Sequence, residues 1–231
     1  NLQPEAFPNR PALYLPFSSV GETGPPGAYL ENGEIVIDAG PAFGGEIRLP
    51  RETLRLPGLH NVENALASSL AARLLGAKKA HLETGLSTFE GFEHRIEFVR
   101  ELDGVRYYND SKATNPEATI TALKAFTQPI VLILGGRDKG TNLAEMVGQI
   151  NRHCSQVLLL GEAAKRFEEA LLSGGFSAIT HVGDFQSAVT QSRALAKPEQ
   201  VVLLSPACAS FDMFESFEER GRLFKKLVCA L

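Results

Sequence analysis

From residue 96 onward, short apolar runs alternate with helical segments, and few architectures accept that rhythm. The runs fall at about 96–102, 105–108, 130–134, 157–160, 179–182 and 201–204. Ile130-Val131-Leu132-Ile133-Leu134 is apolar at every position rather than at every second one, which marks a strand buried on both faces. Helical spacing fills the gaps, at about 116–125, 143–153, 163–172, 185–196 and 214–231. The expectation is an α/β fold, with a Rossmann-like, mostly parallel sheet carrying helices on both faces. At 44% apolar and 22% charged residues, the 231-residue chain has enough core material for it.

The first quarter of the chain has another character. Residues 1–57 read as short strands and turns, with an apolar strand at 12–15 and a Gly/Pro-rich loop at 20–27. Tyr29-Leu30 and Ile35-Val36-Ile37 flank Asn32-Gly33, a pair that supplies the positive φ angles of a tight hairpin. A further strand is expected at 45–49. Val62, Leu66, Leu70 and Leu74 then form one helical stripe ending at Gly76, and a short helix follows at about 81–89. Gly91 and the charged stretch around His94 read as a connection, giving expected domains at 1–93 and 94–231.

Charge and cysteine content narrow the function. The net charge of −4 is scattered, which argues against nucleic-acid or anionic-membrane partners. No apolar run approaches the roughly 20 residues that span a bilayer. Cys154, Cys208 and Cys229 show no metal or disulfide spacing, so reduced thiols in a cytoplasmic protein are expected. The start at Asn1, without methionine or a signal-like segment, reads as a trimmed product.

Parallel sheets collect ligands at the carboxyl ends of their strands, and here those ends are polar or small. Asn109-Asp110-Ser111-Lys112-Ala113-Thr114-Asn115 follows the second run. A cap at Thr114 or Asn115 before Pro116 accounts for one polar residue there, not six. Gly135-Gly136-Arg137-Asp138-Lys139-Gly140 ends the most apolar run, and its glycines permit positive φ or close backbone approach. It lacks the GxxxxGK[ST] spacing of a Walker loop. Ser205-Pro206-Ala207-Cys208-Ala209-Ser210-Phe211 joins the last strand to the last helix. Cys208 reads as a small buried thiol, and Ser210 with the amides after it as an anion seat at a helix start. Asn61 and Asn64 share a helical face, either as caps or as amide edges for a purine. His94-Arg95 reads equally as a surface ion pair or a phosphate contact.

Taken together, these segments resemble the Mur ligases, in their D-glutamate-adding branch. The carriers are His60-Asn61-x-x-Asn64, Phe89-Glu-Gly-Phe-Glu-His94-Arg95, Asn109 to Asn115, Gly135-Gly136-x-Asp138-Lys139, and Ser205 through Gly221, in family order. The sister branches that add diaminopimelate or lysine use other residues at the last block. The resemblance implies an ATP-dependent, Mg2+-assisted ligase of peptidoglycan synthesis. It would join D-glutamate to UDP-N-acetylmuramoyl-L-alanine through an acyl phosphate, as a monomer. It further implies that Asn61 and Asn64 hold adenine and that Arg95 and Asp110 hold ribose and phosphates. Asp110 and Lys112 would serve the reacting centre, while Thr114, Lys139, Ser210 and the Phe217 backbone would hold D-glutamate. The family's phosphate loop and magnesium ligands have no counterpart in these 231 residues. Residues 1–93 are therefore expected to be the tail of an ATP-binding domain, and the chain alone to be inactive. A Rossmann-like module that binds a small acid or nucleotide without ligation is the alternative, weakened by the missing GxGxxG.

Overall fold

The computed structural model of the protein describes residues 15–21, 23 and 26–231. The strand expected at 12–15 lies outside them except for Leu15. Two compact units divide the chain, residues 1–90 and 91–231.

In the first unit, β1 (Phe17–Ser18), β2 (Gly27–Glu31), β3 (Glu34–Asp38) and β4 (Glu46–Pro50) form one sheet in chain order. β1 pairs parallel to β2, and the other pairs are antiparallel. Asn32 and Gly33 turn the β2–β3 hairpin with φ of 48° and 80°, the left-handed pair that a two-residue loop demands. Helix α1 (Leu59–Leu74) lays Val62, Leu66 and Leu70 on Ile35, Ile37, Ile47 and Leu49. It ends where Gly76, at φ 93°, donates to the Arg73 carbonyl while Ala77 donates to that of Ala72, a left-handed C-terminal cap. Helix α2 (Lys79–Thr88) adds Leu82 and Leu86 to the same core.

The second unit holds a six-stranded sheet. Its strands are β5 (Glu97–Leu102), β6 (Val105–Asn109), β7 (Ile130–Gly135), β8 (Cys154–Leu160), β9 (Ile179–His181) and β10 (Val201–Leu204). Their spatial order is β5-β6-β10-β7-β8-β9. All pairs are parallel except β5–β6, a hairpin turned by Asp103 and Gly104, both at positive φ. Helices α3 (Pro116–Leu123), α4 (Ala144–His153) and α5 (Ala164–Ser173) cover one face. There Ile120, Met146 and Phe167 meet Leu132, Leu159 and Leu203. Helices α6 (Phe185–Leu195) and α7 (Phe217–Cys229) cover the other, where Val189 and Phe224 meet Ile133, Leu158 and Val202. Alternate residues of each central strand thus feed opposite cores, as two-sided burial requires.

One boundary differs in consequence. The last helix begins at Phe217, not near 214, because the Ser216 hydroxyl accepts the Glu219 amide. Glu219 in turn accepts the Glu215 amide. This Ser-x-x-Glu pattern is a helix-start signal that the apolar spacing obscured.

Candidate functional site

The last strand in the chain, β10, is inserted between β6 and β7. The turn where a doubly wound sheet reverses its strand order opens a crevice at the carboxyl edge. Three segments far apart in sequence become neighbours there: Asn109–Asn115, Gly135–Gly140 and Ser205–Phe211. Backbone bonds stitch them together. Asp110 N–H donates to the Leu204 carbonyl, Gly135 N–H to that of Pro206, and Arg137 N–H to that of Ala209.

The glycines are used for close approach. A Cβ on Gly136, whose φ is 139°, would meet the Ala209 carbonyl oxygen and Cys208 Cβ. One on Gly161 would meet Asp212 and Gly136. Ala207 in the β10 loop holds a left-handed φ of 57° without being glycine, a local strain that the surrounding packing must maintain. Asp138 receives two bonds from Arg166, at 2.6 and 2.7 Å, and anchors the turn by accepting the Gly140 amide. The Arg166 guanidinium holds the Asp138 carboxyl below the usual carboxylate range.

Each expected residue has a definite environment. Thr114 is half-buried and its carbonyl accepts Lys139 Nζ at 3.2 Å, so these two meet. Asn115 caps α3 through the Ala118 amide, with Pro116 first in the helix. Lys112 and Arg95 are exposed, and no ion pair engages either among the described residues. Ser210 is 1% exposed, and its hydroxyl has no hydrogen-bond partner. A buried hydroxyl without a partner is costly unless something visits it. Ser210 does not stand at a helix start, however. The Met213 and Phe214 amides turn back onto the Ser210 carbonyl, so they are not open donors. Phe217 opens α7, and its carbonyl accepts the Ser111 hydroxyl at 2.8 Å.

Asp110 departs most from its expected environment. It is 4% exposed, with Oδ1 accepting the Ile96 amide at 3.2 Å and Oδ2 meeting Ser205 Oγ at 2.8 Å. Burial pushes its carboxyl up to about 7, against the bonds from Ser205 and Ile96 and the charges of Arg95 and Arg220. Cys208 is buried, and burial pushes its thiol up to about 12, so it remains a thiol and not a nucleophile.

Arg220 had no role assigned from the sequence, and His94 has a different environment from the surface one considered. Arg220 is 1% exposed and forms no ion pair among the described residues. Its Nε and Nη2 donate to Ser111 Oγ and the Ser111 carbonyl, and Nη2 also to the Cys208 carbonyl. It therefore ties the β6 loop to the β10 loop. Desolvation lowers its affinity for its proton, to about 10. His94 is buried, not on the surface, with Nδ1 2.9 Å from Asn109 Nδ2 and Nε2 3.6 Å from Glu93. A Cβ on Gly221 would strike its ring, so glycine there lets α7 close over His94. His94 and Ile96 both hold positive φ, 66° and 46°, just before β5. Glu93, His94 and Glu97 converge, but Lys225 Nζ bonds both carboxylates, at 3.1 and 2.6 Å. An ammonium in that position does not fit a Mg2+ seat.

In the first unit, the N-cap of α1 is Gly58, so neither asparagine caps it. Asn61 Nδ2 donates to the Pro57 carbonyl at 2.7 Å, and Asn64 is exposed one turn on.

Residues 94–208 match the family described as Mur ligase, glutamate ligase domain. UDP-N-acetylmuramoylalanine--D-glutamate ligase of Pelotomaculum thermopropionicum is 47% identical over 186 residues, covering 80% of this chain and 41% of that protein. The Thermoanaerobacter sp. protein of the same name is 45% identical over 207 residues, or 89% of this chain and 45% of its own length. The chain belongs to the Mur ligase family. It spans less than half the length of these relatives. The fold agrees with that of solved Mur ligases. UDP-N-acetylmuramate-alanine ligase MurC of Thermotoga maritima superposes with a TM-score of 0.60 at 19% identity, over 88% of this chain and 46% of that one. MurF of Thermotoga maritima, solved in complex with ADP, gives 0.52 at 18% identity, over 88% and 46%. No helix among the described residues is long and apolar enough to cross a membrane.

Proposed function

We propose that this chain is the amino-acid-binding part, with the tail of the ATP-binding part, of a D-glutamate-adding Mur ligase of the cytoplasm. The whole enzyme would transfer phosphate from ATP to the carboxylate of UDP-N-acetylmuramoyl-L-alanine. The D-glutamate amine would then displace that phosphate to form the amide. The observation that supports this reading is the Lys139–Thr114 contact beside a loop, tied on by the Arg137–Ala209 bridge, that holds the buried, unpartnered Ser210 hydroxyl. A dicarboxylate needs two separated donor groups. Lys139 supplies a charged donor and Ser210 a neutral one, with the Phe217 amide at the start of α7 as a further donor. Lys112, exposed on the same loop as Thr114, would reach the reacting centre and balance charge on the migrating phosphoryl group.

Asn61 and Asn64 of the first unit would take the adenine edge, and Arg95 the ribose and phosphates. Asp110 would serve the same ribose and phosphates, and its Oδ1, which accepts the Ile96 amide, would also hold the turn that carries Arg95. Residues 1–93 would complete an ATP-binding domain. Among the described residues, the one acidic cluster that converges, Glu93, His94 and Glu97, is occupied by Lys225 and does not fit Mg2+.

Two measurements test the reading. Calorimetric titration with D-glutamate, ATP and NAD should give a D-glutamate signal that Ser210→Ala weakens. Binding of NAD with no D-glutamate signal would overturn the assignment. The 231-residue chain should release no phosphate on its own when given ATP, D-glutamate and the muramoyl acceptor, whereas D-glutamate-dependent release would show the division of labour to be wrong.

A further inference from the structure

Three hydroxyl and carboxyl groups lie in line beneath the site, and their hydrogens do not add up if Asp110 is ionised. Asp110 Oδ2 is 2.8 Å from Ser205 Oγ. Ser205 Oγ is 3.1 Å from Thr119 Oγ1, and Thr119 Oγ1 is 3.2 Å from the Ser205 carbonyl oxygen. Ser205 and Thr119 are fully buried. Three oxygen–oxygen contacts need three protons, and two hydroxyls carry two. With Asp110 as a carboxylate, Ser205 donates to it. Thr119 must then choose between Ser205 Oγ and the Ser205 carbonyl, leaving one buried contact without a hydrogen. A protonated Asp110 removes the deficit. Its Oδ2–H donates to Ser205 Oγ, Ser205 to Thr119 Oγ1, and Thr119 to the Ser205 carbonyl. Oδ1 stays free to accept from the Ile96 amide, as observed. In that arrangement Oδ1 accepts and Oδ2 donates, the bonding pattern of a neutral acid.

We infer that Asp110 is a neutral carboxylic acid in the folded protein, and that the chain Asp110–Ser205–Thr119 is a positioning relay for the site. The relay joins the end of β6, the end of β10 and the first half of α3. Those elements carry Lys112, Ser210 and Thr114 into the crevice. The relay is made of the fold's own hydrogens, whichever ligand the site takes.

The charged groups acting on Asp110 are Arg95, from the turn before β5, and Arg220, from α7. Both favour the carboxylate, yet neither pairs with it. Arg220 spends its hydrogen bonds on Ser111 and Cys208 instead. Desolvation outweighs the two charges and keeps the proton on to about neutral pH. The sign of the linkage follows. An unfolded aspartate loses its proton near its ordinary value of about 4, while the folded one keeps it to about 7. Between these values the folded state binds the extra proton, so stability falls as pH rises through that window and levels off above it.

The relay is tested without any substrate, so its failure and that of the ligase reading are separate results. In a carbon-NMR titration with carboxyl-labelled aspartate, the signal lost in Asp110→Asn identifies Asp110, and its midpoint is expected near neutral pH. The melting temperature should fall between about pH 4 and 7 in the wild type and level off above. Asp110→Asn, whose amide accepts from Ile96 and donates to Ser205, should lose this contribution, so its stability falls less across that window than that of the wild type. Thr119→Val removes the acceptor that the neutral form needs for the Ser205 hydroxyl. It should lower the Asp110 midpoint by about one pH unit, while Thr119→Ser leaves it in place. A wild-type midpoint in the ordinary aspartate range, or a Thr119→Val midpoint equal to the wild type, overturns the inference.

Discussion

The two units handle polar groups in opposite ways. Among the described residues, Ser69 is the one buried polar side chain of the first unit. The second unit buries ten: Gln149 and Ser192 on its helices, and His94, Asn109, Asp110, Ser111, Thr119, Ser205, Ser210 and Arg220, most of these eight at the carboxyl edge of one sheet. The small sheet of the first unit keeps its charges outside, where Arg48 bridges Glu31, Glu34 and Glu46. Exposed pairs of that kind contribute little to stability. The comparison teaches where substitutions can separate function from folding. In the first unit the candidate residues stand off the core. In the second, the residues that shape the site also hold the strand ends together.

The sharpest way to break that contrast is Gly136→Ala. A methyl group there collides with the Ala209 carbonyl and Cys208 while forcing a side chain into φ 139°. The expected loss is about 4 kcal/mol, read from urea unfolding. A loss below about 1 kcal/mol would mean that the strand ends are loosely joined. Next comes Arg220→Met, which keeps the bulk but leaves Ser111 and Cys208 carbonyls without a donor. It should cost about 3 kcal/mol. It should also raise the KM for D-glutamate in the whole enzyme, because the two loops it ties carry Thr114 and Ser210.

Smaller effects should divide by ligand. Lys139→Ala is expected to weaken D-glutamate use by roughly 10- to 150-fold, the value of a charge-assisted bond. Ser210→Ala should cost less, about 5- to 10-fold, since a neutral donor is lost. Both should leave the KM for ATP nearly unchanged. Equal losses on ATP and D-glutamate would assign these residues to the fold instead. The smallest stability effect belongs to Asn64→Ala, within about 0.5 kcal/mol of the parent, because its side chain is exposed. Its signature should be a higher KM for ATP alone.

Local signals in the sequence were sufficient wherever one segment decides its own conformation. Asn32-Gly33 specified a hairpin, because few other pairs tolerate two successive positive φ angles. The stripe Val62, Leu66, Leu70 and Leu74 specified α1, and the unalternated runs specified a sheet covered on both faces. The start of α7 was legible in Ser216-x-x-Glu219, but an aromatic run at 211–217 drew the expected boundary too early. No sequence signal marked Arg220 as a buried tie between loops, since an arginine in a polar helical stretch ordinarily faces solvent.

By itself, then, the sequence determined the elements, their order, the two-sided burial of the second sheet and the polar chemistry of its strand ends. These are properties of periodicity and residue type within one stretch of chain. Only the tertiary structure decided that β10 enters between β6 and β7. That choice sets Ser205 against Asp110 across 95 residues and Arg220 against Ser111 across 109. Strand order is chosen by the packing of all helices and strands at once. Hydrogen bonding between parallel backbones is nearly indifferent to side-chain identity, so a strand's place in the sheet is not written in the strand. Burial then changed what the residues are. An aspartate that reads as a charge in the sequence becomes an acid with a raised pKa when the fold removes water from around it.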